Sequence, residues 1–298
     1  MATEVTLITG CSSGIGLATA VKLAQDPKES FLVYATMRNL TKKGELEEAA
    51  GSALNKTLFI FQLDITKEEQ IVSVMKEIMK RHSRIDIIVS NAAFCYVGPF
   101  ERMPMADMRQ MVDTNMIGTY RLIQEVVPIM KRQRSGRIIN ISSIVPFIGF
   151  PFSNIYTATK FAMEGLTESL YPELKCFGVW ISSICPGLVN TKFTENMSSN
   201  IRGSRDEIFS PGDVDPNDPS DKLVSCFMGL AAEEFMPSIQ QPSDIADVVA
   251  ECLAAAEPKV RYITSDYGRE LMTKRYADGT GATGSDMWYQ MMSKIDTD

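Results

Sequence analysis

Val5-Thr6-Leu7-Ile8-Thr9-Gly10-Cys11-Ser12-Ser13-Gly14-Ile15-Gly16 is the stretch that decides the fold. A short apolar run passes into a glycine-rich turn, and an amphipathic stretch over 14–25 opens directly behind it. The glycine spacing is G-x-x-x-G-x-G. Gly10 suits the tight exit from a strand. Gly14 and Gly16 leave space where a pyrophosphate approaches the backbone and where helix packs on strand. The helix N-terminus offers free N–H groups and the positive end of its dipole to the phosphates. Glycines alone say little, because turns use them anyway. Their place between a first strand and a first helix predicts a dinucleotide site, with Gly10, Ser12, Ser13, Gly14, Ile15 and Gly16 around the phosphates.

Beyond this turn, short apolar or β-branched runs alternate with longer amphipathic ones. Strands are predicted over 5–9, 32–36, 58–63, 85–89, 137–141, 179–184 and 260–264, and helices over 14–25, 67–81, 105–131, 156–176 and 243–255. That alternation predicts an α/β fold: a doubly wound, Rossmann-type parallel sheet of about seven strands with helices on both faces. Continuous apolar runs in the central strands fit a sheet covered on both sides. Ser243 before Asp244 reads as the N-cap of the last of these helices. On 156–176, Ala158, Ala162, Gly165, Leu166 and Leu170 share a face that reads as packing on the sheet, with a subunit contact as the other reading. The stretch 194–242, rich in Ser, Asp, Pro and Gly, is expected to be an irregular substrate-loop insertion in a single domain over 1–298.

Composition narrows the function. The 298 residues carry 30 Lys+Arg against 37 Asp+Glu, a net charge of −7, which argues against a nucleic-acid partner. The six cysteines show no C-x-x-C, so reduced thiols are expected, and no metal site is expected. His82 is the one histidine, which argues against imidazole-based hydrolases, zinc sites and dehydrogenases that use imidazole as the proton carrier. No leader and no transmembrane span are visible, so a cytoplasmic protein is expected, with peripheral membrane contact left open.

The end of the second strand selects the dinucleotide. A carboxylate there would bind a ribose 2′-hydroxyl and repel a 2′-phosphate. The chain instead reads Thr36-Met37-Arg38-Asn39, with Lys42 and Lys43 behind, so Arg38 is placed for a 2′-phosphate and NADP(H) is expected over NAD(H). An exposed surface arginine is the plainer reading. Asp64, after the third strand, reads either as an adenine-edge residue or as a helix cap.

Tyr156 and Lys160 stand at i and i+4, on one helical face. A phenol with a pKa of about 10 is a poor acid–base near neutrality, and a nearby ammonium favours its phenolate. The fifth strand ends at Ser142-Ser143, so Ser143 can share a substrate oxygen with Tyr156, or else is a turn residue.

The Thr9-Gly10 turn, Asn91-Ala92, Asn115, the Ser143/Tyr156/Lys160 set and Pro186-Gly187, in this order, resemble the short-chain dehydrogenase/reductase family over about residues 3–265. Tyr34-Ala35-Thr36-Met37-Arg38, Gly98-Pro99-Phe100 and Lys160-Phe161-Ala162-Met163-Glu164-Gly165 look like its branch of estradiol 17β-dehydrogenases and photoreceptor-type retinol dehydrogenases, which prefers NADP(H). The resemblance implies that Tyr156 moves the proton, Lys160 tunes it and holds the nicotinamide ribose, Ser143 orients the carbonyl and Asn115 holds a relay water. A polar residue inside a long helix is the plainer reading of Asn115. It further implies Ser12 and Arg38 on the 2′-phosphate, Asp64 and Ile65 beside adenine, and Asn91 with Ala92 on the ribose side. Pro186, Gly187, Val189 and Thr191 then fall at the nicotinamide end. A homodimer is implied as well, with 105–131 and 156–176 as its candidate seam. Two departures stand out: Ala93 replaces the usual glycine, and His82 precedes the fourth strand, too early to grip the far end of a steroid.

The residues expected around a substrate are apolar: Val145, Phe150, Phe152 and Phe193, with Met197, Phe209, Phe227 and Phe235 from the insertion. Each buried CH₂ contributes about 0.8 kcal/mol, which favours a large carbon skeleton such as a steroid or retinoid. The expected activity is hydride transfer between nicotinamide and a lipophilic alcohol or ketone. The rival is an NADPH-binding regulatory protein without turnover, which has no need of a tuned phenol.

Overall fold

The computed structural model describes residues 3–193 and 218–295. Seven parallel strands form its sheet: β1 (Glu4–Ile8), β2 (Phe31–Met37), β3 (Leu58–Gln62), β4 (Ile87–Ser90), β5 (Gly136–Ile141), β6 (Val179–Cys185) and β7 (Arg261–Ile263). They lie in the order β3-β2-β1-β4-β5-β6-β7, so the doubly wound prediction holds. The direction of strand addition reverses between β1 and β4. Ligand crevices in open sheets open at such a reversal, outside the strands' carboxyl ends.

Both faces are covered because the strands alternate two apolar sets. Ile8, Val33, Val89, Ile139 and Ile184 face α1 (Gly14–Ala24), α2 (Gly44–Ala50) and α8 (Pro242–Ala254). Leu7, Tyr34, Ile88, Ile138 and Ile181 face α3 (Glu68–His82), α5 (Thr119–Gln133) and α6 (Asn154–Lys175). His82 ends α3 and shares a 2.7 Å hydrogen bond with the Tyr34 hydroxyl, a structural use of the sole histidine.

Four expectations need correction. The predicted helix 105–131 is broken into α4 (Met105–Val112), a π-turn (Asp113–Gly118) and α5. Gly118 permits the close approach there, since a Cβ would lie 2.6 Å from the Ile65 carbonyl oxygen. The insertion 194–242 is not irregular throughout: α7 (Pro219–Phe235) is a regular helix, capped by the Asp218 side chain with Pro219 in its first turn. Residues 194–217 lie outside the described set. Gln241, not Ser243, caps α8, in a reciprocal pair with Asp244. On α6, Ala158 and Gly165 are exposed, while Leu166 and Leu170 of the same set pack partly buried against the core on the sheet, so only part of that face serves the packing.

Helices α2, α9 (Asp266–Ala277) and α10 (Ala282–Met292) carry no counterpart in the sequence reading. The last two close an aromatic cluster beyond the ends of β5 and β6. Trp288 is 2% exposed, donates its indole N–H to the Ile148 carbonyl at 3.0 Å and packs edge-on to Phe150 and Phe227, at centroid distances of 5.2 and 5.5 Å. Phe235, 7% exposed, completes the cluster. Trp288→Ala is expected to lower the unfolding free energy by about 3–5 kcal/mol in a denaturant titration. A loss under about 1 kcal/mol would show that the C-terminal helix is not held by this cluster.

Candidate active site

The glycine turn sits at the strand-order reversal. Gly10 has φ +73°, and a Cβ there would come within 2.9 Å of the Ala92 Cα. Gly14 has φ +60° and lies against Thr191, whose Cγ2 would be 3.0 Å from an added Cβ. A Cβ on Gly16 would meet both the Asn91 amide nitrogen and the Gly10 oxygen at 2.4 Å. Of the two reasons for glycine, Gly16 therefore meets the packing one. Asn91 braces the turn from beneath: its amide donates to the Thr9 and Gly10 carbonyls at 2.9 and 3.0 Å. The Thr9 hydroxyl in turn accepts the Asn91 and Ala92 N–H groups.

This turn delivers the start of α1. Ser13 is extended and its side chain makes no capping bond, and the first turn holds no acid. That leaves first-turn amides and a positive dipole end without a side-chain cap, as an anion would require. Ser12 and Ile15 are half-buried on the same turn. Arg38 follows β2, exposed, with no ion-pair partner among the described residues. Asp64 closes a local turn instead of capping α3: its carboxylate accepts the Thr66 N–H at 3.0 Å and hydroxyl at 2.7 Å. Ile65 beside it is buried.

On the other side of the reversal stand the ends of β5 and β6 and the first turns of α6. Lys160 is 4% exposed, donates to the Ile141 carbonyl oxygen at 2.8 Å and lies 5.5 Å from the Tyr156 ring centroid. Ser143, buried on the turn after β5, accepts the Val145 N–H at 3.2 Å, and its hydroxyl acts to lower the pKa of the Tyr156 phenol. Burial pushes the Lys160 amine down to about 8. Burial also raises the Tyr156 phenol, against the opposing pull of Ser143. Desolvation is thus the largest influence on both groups.

The π-turn aims Asn115 into this region. Its amide oxygen accepts the Phe94 N–H at 3.0 Å, and its nitrogen donates to the Phe94 carbonyl at 2.8 Å and the Thr159 hydroxyl at 3.3 Å. Thr159 donates to the Tyr156 carbonyl at 2.7 Å. Asn115 therefore ties the chain after β4 to the first turn of α6. Thr159 escaped the sequence reading, although its place between Tyr156 and Lys160 was a usable signal.

Phe193 packs on Tyr156 with centroids 5.7 Å apart, and Val145 is half-buried behind Ser143. Phe150 and Phe152 are partly buried against Phe227, at 5.6 and 5.4 Å. Phe227 and Phe235 are buried core, which corrects their placement on a substrate lid. Met197 and Phe209 lie outside the described residues. Pro186 accepts the Ile144 N–H through its carbonyl at 2.9 Å, Gly187 lies against Ser265, and Val189 bridges to Gln240, which positions Thr191 over Gly14. Among the described residues no cluster of His, Cys, Asp and Glu is fit for a metal. Nor is any helix there long and apolar enough to cross a membrane.

Comparison with known proteins agrees with this arrangement. The short chain dehydrogenase family profile matches residues 4–202. Retinol dehydrogenase 8 of Bos taurus is 38% identical over 93% of this chain and 86% of its own length. The 17-beta-hydroxysteroid dehydrogenase type 1 of Homo sapiens is 36% identical over 95% and 84%. Among solved structures, a short-chain dehydrogenase from Streptomyces avermitilis superposes with a TM-score of 0.74 at 25% identity, covering 99% of this chain and 100% of its own. ElxO with NADP bound gives 0.67 at 27%, covering 88% and 96%. The chain belongs to the short chain dehydrogenase family.

A buried lysine leaves a thermodynamic mark. Between pH 8 and about 10 the unfolded state holds the Lys160 proton and the folded state releases it, so folding stability contributed by this group rises with pH. The unfolding free energy of the wild type relative to Lys160→Met is expected to climb across that window in urea titrations. A flat difference would place the folded amine at its ordinary value.

Proposed function

We propose that this short chain dehydrogenase is an NADP(H)-dependent oxidoreductase acting on a lipophilic alcohol or carbonyl compound of the steroid or retinoid type. The observation that carries the reading is the buried Lys160 amine beside Tyr156, with the buried Ser143 acting on the same phenol, at the strand ends that flank the glycine turn. Bound nicotinamide would supply the hydride acceptor or donor. The side-chain-uncapped start of α1, the glycine positions and Arg38, without an ion-pair partner among the described residues, fit a phosphorylated dinucleotide. The NADP-bound relative supports the same cofactor.

In this reading Tyr156 gives a proton to the substrate oxygen during reduction and takes it back during oxidation. Ser143 donates a hydrogen bond to that oxygen and polarises the carbonyl. Lys160 offsets negative charge on the phenolic oxygen and holds the ribose of the nicotinamide. Asn115 positions Phe94 and Thr159 and is the candidate holder of a relay water. Ser12 and Arg38 take the 2′-phosphate, Asp64 and Ile65 the adenine side, and Asn91 and Ala92 the ribose side. Pro186, Gly187, Val189 and Thr191 border the nicotinamide. Val145 and Phe193 offer apolar contact next to Tyr156, with Phe150 and Phe152 behind them. The retinol and 17-beta-hydroxysteroid dehydrogenase relatives support the substrate class. The exposed Ala158, Phe161 and Gly165 on α6 support a second copy of the chain as partner.

NADPH oxidation is expected with all-trans-retinal or a 17-ketosteroid and to be weaker with small carbonyls. Tyr156→Phe should lower kcat by about 10²–10⁴-fold with NADPH affinity within twofold of wild type. Binding of NADPH without reduction of any carbonyl would favour the regulatory protein instead. Arg38→Gln should weaken NADPH binding by roughly 10–100-fold, the worth of one charge-assisted hydrogen bond, and leave NADH binding unchanged.

A further inference from the structure

Helix α6 carries more chemistry than the Tyr156–Lys160 pair. Tyr156, Lys160, Glu164 and Glu168 repeat every four residues, so they form one stripe along the helix. The third member is buried: Glu164 is 6% exposed. Arg261 of β7 reaches it, Nε to Oε2 at 2.6 Å, and also pairs with the exposed Glu168. The other Glu164 oxygen accepts from the Cys185 thiol of β6 at 3.6 Å. Burying an ion pair is costly, and a structural tie alone is as well served by apolar packing. The placement one turn from the working amine asks for another explanation.

The surroundings of Lys160 supply it. The amine is faced by Tyr156 and Glu164 from its own helix, by Cys95 from the chain after β4, by Cys185 from β6 and by the Ile141 oxygen from β5. Arg261 and Glu168 stand behind Glu164. Three of these groups are neutral in the pH range where the amine releases its proton. Burial lifts Cys95 to about 12 and holds Cys185 and Tyr156 above their ordinary values. Glu164 is then the one negative charge among the described groups facing the amine.

We propose that Glu164 is a positioning residue for catalysis: pinned by Arg261 and Cys185, its buried carboxylate keeps the Lys160 amine charged beside Tyr156. The proposal rests on the assignment of Tyr156 and Lys160 above. Arg261 sets how strongly Glu164 acts. It fixes the carboxylate in place and cancels part of its charge, so the two residues act on Lys160 in opposite directions.

Titration of the Lys160 side chain in lysine-labelled full-length protein tests this by NMR, with the resonance assigned through Lys160→Met. Glu164→Gln keeps the shape and one acceptor oxygen, enough for Arg261, while its amide nitrogen can donate to the Cys185 sulfur and the charge is removed. The Lys160 midpoint should fall by about one pH unit, and the alkaline limb of kcat should move down with it. Arg261→Gln should move the midpoint up. A Glu164→Gln protein that loses activity or stability with its midpoint unmoved would reduce Glu164 to a structural tie and overturn the proposal. If that variant does not fold, Arg261→Gln decides: an unmoved or lowered midpoint overturns it. The titration needs neither cofactor nor turnover. An absence of dehydrogenase activity with the shifts intact would therefore count against the assigned reaction and not against the coupling.

Discussion

A lysine ammonium buried at the carboxyl end of β5 is the constraint around which the site is organised. An isolated charge in such a place costs several kcal/mol, and the protein offsets the cost with few groups. The Ile141 carbonyl accepts from it at 2.8 Å, and Glu164 supplies opposite charge one turn along. The amine still falls to about 8, so desolvation wins over these contacts. A group placed this way is ready to change its protonation within the working pH range, which a surface lysine is not. Tyr156 responds to the same burial in the opposite sense. Burial thus drives the two proton affinities apart, the amine toward neutral pH and the phenol away from it.

That arrangement needs a rigid frame, and the hydrogen bonds show how it is made. Asn91 holds the glycine turn through two carbonyls. Asn115 holds the Phe94 backbone through both amide atoms and reaches Tyr156 through Thr159. Each asparagine satisfies main-chain groups that leave their strand or helix at the crevice, where regular ladders stop. The π-turn is the local irregularity that turns Asn115 inward, and such bulges gather at functional sites.

Legibility of the sequence followed the strength of local signals. The first turn was readable because strand, glycines and helix follow one another without interruption. The parallel sheet was readable because Leu7, Ile88, Ile138 and their neighbours are apolar in unbroken runs. The break at 113–118 was not, since Asp113-Thr114-Asn115-Met116-Ile117-Gly118 fits helical periodicity and the bulge depends on the contact of Gly118 with Ile65. Helix α7 was hidden by its own start: Asp218-Pro219 is a cap signal, but it ends a run of Pro, Asp and Gly that reads as loop. Tyr156, Lys160 and Ser143 were legible as a set and do come together. Leu166 and Leu170 on α6 do pack inward, but Ala158 and Gly165 were misread because Ala and Gly at helical spacing carry no mark of which side they serve. The partners Glu164 and Arg261, 97 residues apart, could not have been joined without the sheet order that sets β7 beside β6.

The aromatic residues divide the apolar material near the site into two kinds. Phe227, Phe235 and Trp288 are buried against one another and complete a core supplied by α7, α9 and α10. Phe193 and Val145 remain half-buried and lie next to Tyr156 and Ser143. The two kinds therefore differ in exposure: the cluster is sealed, while Phe193 and Val145 keep surface open beside Tyr156 and Ser143. The only imidazole of the chain is spent on Tyr34. Polar recognition at the far end of a steroid would have to come from other groups.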